Sequence, residues 1–441
     1  GLVLYFLFGS NSRGRKRDKA GASIRNYYQK HFGIGKHRVE REDLPVAEYL
    51  QDLSWMLSIQ TGFFPTHGNR YTLFTQSPPL IAAMVEDIDT ATKSVYLEFY
   101  IVHPKGSIIT VLEALERAAL RGVDTRLMVD DIGGRPFFKS KWEKRLIKAG
   151  VEIVHSLAVN PIKAFSKRTD LRNHRKLIVI DQTIGYTGSY NLTDPAKFKQ
   201  GKGFGEWVDV MVRLEGRIVS SLSCVFNTDY IYDSEGLDYT KNALAALSDE
   251  VGEFPVYEDG VVMQMVPSGP ELQQSVIHEL IAASIFGARH SVTIVTPYFV
   301  PDETIQLALI NAAHRGLQVR LIVPRRVDSI MARHAGESTF DSLIGAGIAV
   351  YRFTDGMLHT KLVQIDDELT LIGTANVDIR SFYLNLEMTL CVYDKDFAIK
   401  ANALVDRYIQ RSENLDPDAW RSRGAVLRWK ENILRLASPL L

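Results

Sequence analysis

Hydrophobic residues recur along this chain at two spacings, one typical of helices and one typical of strands. The pattern over residues 77–92 predicts a helix that opens on two prolines, and the pattern over residues 95–101 predicts a buried strand. The same order returns with a helix over residues 271–286 and a strand over residues 292–300. A further helix, a glycine turn and a strand follow in both places. This alternation predicts an α/β fold in which each half forms a sandwich of a mixed sheet and flanking helices.

The two halves also resemble each other in sequence. Residues 118–129 match residues 312–323, and residues 146–151 match residues 343–348 in the same order. Such internal similarity indicates a duplicated domain. The first copy carries an insertion of about 12 residues, whose basic part over residues 161–168 is a candidate lid over a substrate.

The periodicity breaks over residues 249–255, so the boundary between the copies is predicted there. The expected organisation is an amino-terminal region over residues 1–60, a first domain over residues 61–255 and a second domain over residues 256–441. A last apolar stripe at helical spacing, over residues 426–440, predicts a carboxy-terminal helix that docks on the core.

The amino-terminal region begins with an apolar run followed by a basic one. Residues 2–8 are apolar but too few to span a bilayer, and residues 13–19 are rich in arginine and lysine. This order is the reverse of a signal peptide and suits the end of a transmembrane helix with a cytoplasmic flank. We therefore expect membrane-spanning sequence upstream, the alternative being a frayed, solvated terminus.

A second apolar feature of this region has helical spacing. Val46, Leu50, Leu53 and Leu57 share one face of a predicted helix. Such a helix lies either on a membrane surface or against the body of the protein, and docking on the protein is the default expectation.

Two stretches of identical pattern carry the candidate chemistry. Each reads H-x-K-x4-D and continues to G-[ST]-x-N, with the same internal spacing in both halves. The residues are His174, Lys176, Asp181, Ser189 and Asn191 in the first half, and His359, Lys361, Asp366, Thr374 and Asn376 in the second. Apolar, β-branched residues follow each lysine, so each motif is predicted to begin on a buried strand and to turn at its aspartate.

Strand geometry predicts what each motif presents. Residues i and i+2 of a strand point to the same side, so the histidine and lysine of a motif share a face, and the returning strand brings the asparagine to the same end. Two such patches facing each other would bind a tetrahedral anion, most simply a phosphodiester. A single histidine at a strand start is more often structural, but two matching motifs in matching contexts favour the catalytic interpretation.

Composition narrows the classes of function. The chain has 441 residues, 46% of them hydrophobic, which indicates a globular protein of two or three domains. Basic and acidic residues balance at 52 each, so no global charge attracts nucleic acid. Cys224 and Cys391 are the only cysteines, which leaves no disulfide framework and no C-x2-C metal site and suits a reducing compartment.

With its paired motifs the chain resembles the phospholipase D superfamily, which is defined by two H-x-K-x4-D motifs, and within it the bacterial cardiolipin synthases. Other segments that fit this resemblance are residues 130–133, 205–207, 296–299, 378–382, 385–387 and 438–441. The resemblance is specific from about residue 60 onward and looser before it. It implies two similar α/β domains with the active site at their pseudo-two-fold interface.

The resemblance also implies a reaction. A phosphatidyl group would pass from one phosphatidylglycerol to another through a phosphatidyl-histidine, giving cardiolipin and glycerol. One motif histidine is the nucleophile, His174 by analogy, and the other is the general acid and base. The motif lysines and asparagines would hold the phosphoryl oxygens, with Ser189 and Thr374 in support.

Four acidic residues receive expected roles from the same resemblance. Glu206 and Glu387 are expected to orient the two imidazoles. Asp181 and Asp366 belong to the catalytic signature but lie at strand ends, and we expect them to be structural. No cofactor and no metal are expected, because the lysines fill the electrostatic role of a metal ion.

The expected partners are phosphatidylglycerol and other anionic phospholipid in the membrane, and not nucleic acid. The expected location is the bacterial inner membrane with the catalytic domains on the cytoplasmic side. The competing hypothesis is a hydrolase of the same superfamily, either a phospholipase D that uses water or a nuclease. A nuclease should show a basic, asymmetric surface, which the balanced charge disfavours. A catalytically dead scaffold is disfavoured by the two intact motifs.

Overall fold

A computed structural model describes residues 38–158, 170–199, 203–234, 254–269 and 275–424. Several predicted features lie outside these residues: the terminal apolar and basic runs, the candidate lid over residues 161–168 and the carboxy-terminal helix over residues 426–440. Among the residues described, no helix has both the length and the hydropathy needed to cross a membrane.

The first half alternates helices and strands. In chain order it contains α1 (Glu48–Thr61), β1 (Thr66–Phe74), α2 (Ser77–Thr90), β2 (Ser94–Phe99), α3 (Ile108–Leu120), β3 (Asp124–Asp130), α4 (Arg135–Phe138), α5 (Lys141–Ala149), β4 (Glu152–Ser156), β5 (Lys176–Ile180), β6 (Ile184–Gly188), β7 (Trp207–Val208), β8 (Met211–Glu215) and α6 (Ile218–Asp233).

The second half repeats this order with additions at its end. It contains β9 (Val261–Ser268), α7 (Val276–Gly287), β10 (Ser291–Val295), β11 (Phe299–Val300), α8 (Glu303–His314), β12 (Gln318–Pro324), α9 (Ile330–Glu337), α10 (Phe340–Gly345), β13 (Ala349–Phe353), β14 (Met357–Leu358), β15 (Leu362–Ile365), β16 (Leu369–Gly373), β17 (Val377–Asp378), α11 (Ile379–Tyr383), β18 (Glu387–Tyr393), α12 (Lys395–Gln410), β19 (Ser412–Asn414) and α13 (Pro417–Arg421).

The main sheet shows the duplication directly. The first half contributes strands in the order β1-β8-β6-β5-β2-β3-β4, and the second contributes β9-β18-β16-β15-β10-β12-β13 with β19 at the edge. β1 and β9 pair antiparallel, so the two sets form one continuous mixed sheet of fifteen strands. The predicted α/β class with a mixed sheet is confirmed. The sequence analysis did not predict that backbone hydrogen bonds between β1 and β9 join the sheets of the two halves.

The strand predicted over residues 292–300 is interrupted. β10 ends at Val295, and β11 pairs with β17 in a separate small ladder. Pro297 lies between them and has no N–H to donate to a ladder. The break turns the chain away from the main sheet and brings Tyr298 to the wall of the pocket described below.

Helix α1 docks on the protein. Leu50, Leu53 and Leu57 are buried in the core of the second half. The hydroxyl of Ser54 donates to the side chain of Gln264 on β9 at 2.9 Å, and both groups are buried. The apolar stripe of α1 therefore docks on the protein, as the default expectation had it. It packs against the second half of the chain, although α1 itself precedes the first half's strands.

The motif aspartates close two equivalent hairpins. The carboxylate of Asp181 accepts the backbone N–H groups of residues 92–94, and that of Asp366 accepts those of residues 289–291. Both aspartates have positive φ, which Asp tolerates better than most residues. Each therefore fixes its hairpin to the turn between the preceding helix and strand, namely α2 and β2 or α7 and β10.

Candidate active site

The two motif histidines are brought together by an exchange of backbone pairing between the halves. The N–H of His174 donates to the carbonyl of Leu386 at 2.9 Å, and the N–H of His359 donates to the carbonyl of Val208 at 2.8 Å. In each case an acidic residue directly follows the carbonyl group. The backbone of one half thus delivers a carboxylate to the histidine of the other.

Glu387 is the carboxylate that meets His174. Its two oxygens lie 3.0 and 2.9 Å from Nδ1 of the imidazole. The carboxylate is fully buried and also accepts the hydroxyl of Thr374 at 2.6 Å and the amide of Asn385 at 3.1 Å. Burial raises the pKa of Glu387, but His174 and Lys176 outweigh this effect and hold it below the ordinary value. The carboxylate therefore stays ionised and fixes the ring with Nδ1 as the donor.

Asp209 fills the same place at His359. Its Oδ1 atom lies 2.7 Å from Nδ1 of the imidazole and accepts the hydroxyl of Ser189 at 2.6 Å. The sequence-based assignment of this role to Glu206 is wrong, because the Glu206 side chain is exposed and its backbone carbonyl pairs with Met357. The β7–β14 ladder sets this register and brings the residue three positions later to the imidazole.

The sequence contains a signal for Asp209 that the motif analysis missed. Asp209 is followed by apolar residues that lead into β8, as Glu387 is followed by the apolar run of β18. These two strands occupy equivalent places in the two halves of the sheet. An acid at the start of each such strand was therefore the pattern to seek.

Both imidazoles line one pocket of about 460 Å³. Burial lowers the pKa of His174 and of His359 to about 4, and the neighbouring carboxylates offset this only in part. Both rings are therefore neutral near pH 7. With Nδ1 donating to a carboxylate, Nε2 of each ring carries the lone pair that can take a proton or attack an electrophile.

The motif lysines lie beside the histidines, and their ammonium groups make different hydrogen bonds. Nζ of Lys176 donates to the backbone carbonyl of His174 at 2.6 Å, whereas Nζ of Lys361 lies 3.0 Å from Nε2 of His359 and 2.7 Å from its carbonyl. Burial lowers the pKa of Lys176 to about 7 and that of Lys361 to about 8. A bound anion would restore their charge by pairing with it.

The motif asparagines also line the pocket. Oδ1 of Asn191 accepts the backbone N–H of Ile101 at 3.2 Å, while its Nδ2 atom is buried without a hydrogen-bond partner among the described residues. Oδ1 of Asn376 is equally without a partner in the described part of the chain. Buried polar groups are normally satisfied, so two such amides at one pocket indicate a polar ligand.

Eleven of the twelve predicted site residues thus have a place at the pocket or its supports, or in the two hairpins. The structure brings His174, Lys176, His359 and Lys361 together, with Asn191 and Asn376 on the walls and Ser189, Thr374 and Glu387 behind the imidazoles. Glu206 is the residue placed elsewhere. Asp181 and Asp366 accept backbone N–H groups at turns and do not contact the imidazoles. This agrees with the expectation that the two aspartates are structural.

The arrangement suits phosphoryl chemistry. The two lysines and the amide N–H groups of Asn191 can surround the oxygens of a tetrahedral anion, while one imidazole attacks and the other moves a proton. Among the described residues, no group of three or more His, Cys, Asp or Glu side chains is placed to hold a metal ion.

Comparison with known proteins gives matches in sequence and in fold. The family model described as cardiolipin synthase, PLD-like domain, matches residues 84–203 and 281–409, once across each motif. Cardiolipin synthase A of Klebsiella pneumoniae subsp. pneumoniae is 36% identical over 445 residues, covering 100% of this chain and 90% of that protein. Cardiolipin synthase A of Serratia proteamaculans is 36% identical over 442 residues with the same coverage.

Two solved structures share the fold at low sequence identity. Phosphatidylserine synthase of Haemophilus influenzae superposes with a TM-score of 0.61 at 14% identity, covering 84% of this chain and 95% of that one. Polyphosphate kinase of Porphyromonas gingivalis superposes with a TM-score of 0.53 at 15% identity, covering 83% of this chain and 53% of that one.

Proposed function

Since the chain belongs to the cardiolipin synthase family of proteins with PLD-like domains, we propose that it transfers a phosphatidyl group from one phosphatidylglycerol to a hydroxyl of a second. The products are cardiolipin and glycerol. One observation carries this proposal: two imidazoles from different halves, each held by a buried carboxylate, line the same pocket.

In the first half-reaction, Nε2 of His174 attacks the phosphorus of the donor lipid. A P–N bond forms and the P–O bond to the glycerol headgroup breaks. His359 gives a proton to the departing oxygen, so that glycerol leaves as a neutral alcohol. The negative charge of the bound phosphodiester favours the protonated form of His359, which burial alone disfavours.

In the second half-reaction, a hydroxyl of another phosphatidylglycerol takes the place of glycerol. His359 accepts its proton, the oxygen attacks phosphorus and the P–N bond breaks. Cardiolipin is released and both imidazoles return to their starting state. Atoms and protons balance without any further reactant.

The contacts of the two lysines support His174 as the nucleophile. The lone pair at Nε2 of His359 faces the ammonium of Lys361 at 3.0 Å, and that hydrogen bond weakens it for attack. At His174 the ammonium of Lys176 is directed at the backbone carbonyl instead, and Glu387 strengthens the ring as a nucleophile.

The lysines and Asn191 act on the phosphoryl oxygens. Their charges and N–H groups are fixed in a buried site, where they offset the negative charge that grows in the transition state at little reorganisation cost. The same burial limits water, which competes with the acceptor hydroxyl for the intermediate.

We propose that the reaction takes place at the bacterial inner membrane, because both substrates are membrane lipids. We propose its cytoplasmic face because the basic residues 13–19 follow an apolar run, as in the cytoplasmic flank of a transmembrane helix. Phosphatidylglycerol and other anionic phospholipids are the proposed partners. The balanced content of 52 basic and 52 acidic residues is consistent with a role other than nucleic-acid binding.

The test is to follow lipid products and free glycerol together, with purified protein and phosphatidylglycerol vesicles. Cardiolipin and glycerol should rise in equal amounts, and both should be absent with His174→Ala. Phosphatidic acid and glycerol without cardiolipin would instead assign the protein to the hydrolases of this superfamily.

A further inference from the structure

One wall of the pocket carries a carboxylate that the transfer steps do not use. Asp328 lines the pocket, with 13% of its side chain exposed. Its Oδ2 atom accepts a hydrogen bond from Lys199 at 2.6 Å, and its Oδ1 atom accepts the hydroxyl of Tyr298. Lys199 comes from the first half of the chain, and the other two residues come from the second.

This wall lies at the His359 end of the pocket. The ring of Trp207 is 4.3 Å from the imidazole of His359, and the ammonium of Lys199 is 5.1 Å from the ring of Trp207. Asp328 and His359 line the same pocket. Burial raises the pKa of Asp328, but the charge and hydrogen bond of Lys199 outweigh this effect and hold the pKa below its ordinary value, with a smaller contribution from His359. The carboxylate is therefore next to the histidine that exchanges protons with the alcohol.

The backbone on both sides of this wall is held by apolar packing. Phe198 and Trp207 of the first half form a buried cluster with Val327 and Met357 of the second, and Tyr298 packs against it. Lys199 and Asp328 are the chain neighbours of two members of that cluster. The carboxylate is thus fixed relative to the imidazole.

A purely structural role does not account for this carboxylate. A negative charge repels a phosphodiester in the same pocket, and an apolar pair would join the halves without the cost of desolvating two ions. Asp378, the other carboxylate on the pocket wall, caps α11 by accepting the N–H of Ser381 at 2.7 Å. A carboxylate accepts up to about four hydrogen bonds, and Asp328 has two from Lys199 and Tyr298. Its remaining capacity suits hydroxyl donors.

We propose that Asp328, supported by Tyr298 and Lys199, forms a subsite that binds the free hydroxyl groups of a glycerol headgroup and so selects a polyol as leaving group and acceptor. This inference rests on the proposed transfer between two phosphatidylglycerol molecules. In that reaction the departing glycerol and the attacking headgroup present the same unit, a reacting primary oxygen beside a secondary hydroxyl. One subsite next to His359 therefore serves both half-reactions.

The experiment measures a ratio of two acceptors. The full chain is mixed with phosphatidylglycerol vesicles and equal concentrations of deuterated glycerol and 1-propanol. Mass spectrometry then quantifies deuterated phosphatidylglycerol and phosphatidylpropanol. Both alcohols offer a primary hydroxyl, but only glycerol has further hydroxyls for Asp328 to accept.

Asp328→Ala should lower the glycerol-to-propanol ratio by about tenfold or more, the size expected for a hydrogen bond to a charged group, while transfer to propanol continues. Asp328→Asn keeps the shape and should lower the ratio by less, and it remains informative if the alanine variant does not fold. Lys199→Met removes the ammonium that supports Asp328 in the subsite and should lower the ratio too, by less than Asp328→Ala does. Asp259→Asn, in an exposed ion pair with Arg70, is the remote control.

Equal loss of both products in the Asp328 variants would overturn the subsite and leave Asp328 as a structural link between the halves. An unchanged ratio with full activity would overturn it as well. Failure of the unaltered protein to label either product would instead refute the proposed phosphatidyl transfer, and the subsite with it.

Discussion

At the scale of single residues, the site is defined by which carboxylate meets which imidazole. Glu387 of the second half holds His174 of the first, and Asp209 of the first half holds His359 of the second. Each pair is buried and fixes Nδ1 as the donor. Neither half therefore has a complete catalytic pair by itself.

This exchange predicts a sharp difference between two acidic residues that are close in sequence. Asp209→Asn should lower kcat by about 10²-fold or more, because the amide no longer stabilises the protonated imidazole of His359. Glu206→Gln is the matched control and should stay within about twofold of the original rate, since its side chain is exposed. Initial rates of cardiolipin formation decide this, and equal losses in both variants would contradict the assignment.

The lowered pKa values of the lysines predict an alkaline limb in the pH profile. Burial lowers the pKa of Lys176 to about 7 and that of Lys361 to about 8, so their charges are present below these values and lost above them. The value of kcat/KM should therefore fall between about pH 7 and about pH 9, since it reports the free enzyme. The limb in kcat should lie at higher pH, because the bound phosphodiester stabilises the ammonium groups.

Lys361→Arg provides the control for this limb. Arginine stays charged over the whole range, so the alkaline decline should become shallower even if the maximal rate is reduced. A profile of kcat/KM that is flat from about pH 7 to about pH 9 in the unaltered protein would contradict the role of the lysines.

At the same scale, sequence reasoning selected four motif residues that the structure brings together, and it misassigned one supporting carboxylate. The motif spacing predicts His174, Lys176, His359 and Lys361 because chemistry and strand period both constrain them. Asp209 meets His359 through the register of the β7–β14 ladder between the halves, and the acid-then-apolar pattern that marks it is weaker than the motif spacing. Asp328 depends on the same kind of long-range contact.

At the scale of elements, the two motif hairpins are fixed by their aspartates. Asp366 accepts three backbone N–H groups at the turn before β10 and the hydroxyl of Tyr49 on α1 at 2.8 Å. The strand period predicted both hairpins, because apolar runs with an aspartate between them are a local signal. A local signal could not predict the hydrogen bond between Tyr49 and Asp366, because these residues lie far apart in the sequence.

Asp366→Ala should therefore reduce stability more than chemistry. We expect the free energy of unfolding to fall by about 2–4 kcal/mol, because three backbone N–H groups lose a charged acceptor. The kcat of the folded protein should stay within about threefold of the original. Urea denaturation followed by tryptophan fluorescence gives the first quantity, and cardiolipin formation well below the unfolding midpoint gives the second. A loss of kcat by orders of magnitude at unchanged stability would give Asp366 a direct part in the chemistry.

At the scale of the whole molecule, duplication provides the two histidines and the join between the halves provides the site. The internal repeat predicted two similar sandwiches, and their strand orders agree. The sequence did not predict the pairing of β1 with β9, because hydrogen bonds between the backbones of two edge strands do not require any particular pattern of side chains. The buried guanidinium of Arg175 strengthens this join by donating to the carbonyl groups of Glu387 at 3.1 Å and Ser268 at 2.9 Å.

The most direct test of the account is to trap the covalent intermediate. His359→Ala is incubated with phosphatidyl-p-nitrophenol, whose leaving group needs no proton, and the protein is analysed by mass spectrometry after proteolysis. The account predicts a burst of nitrophenolate and a phosphatidyl group on the peptide that contains His174, with neither seen for His174→Ala. A burst and an adduct in His174→Ala, or an adduct on any other residue, would contradict the assignment of His174 as the nucleophile.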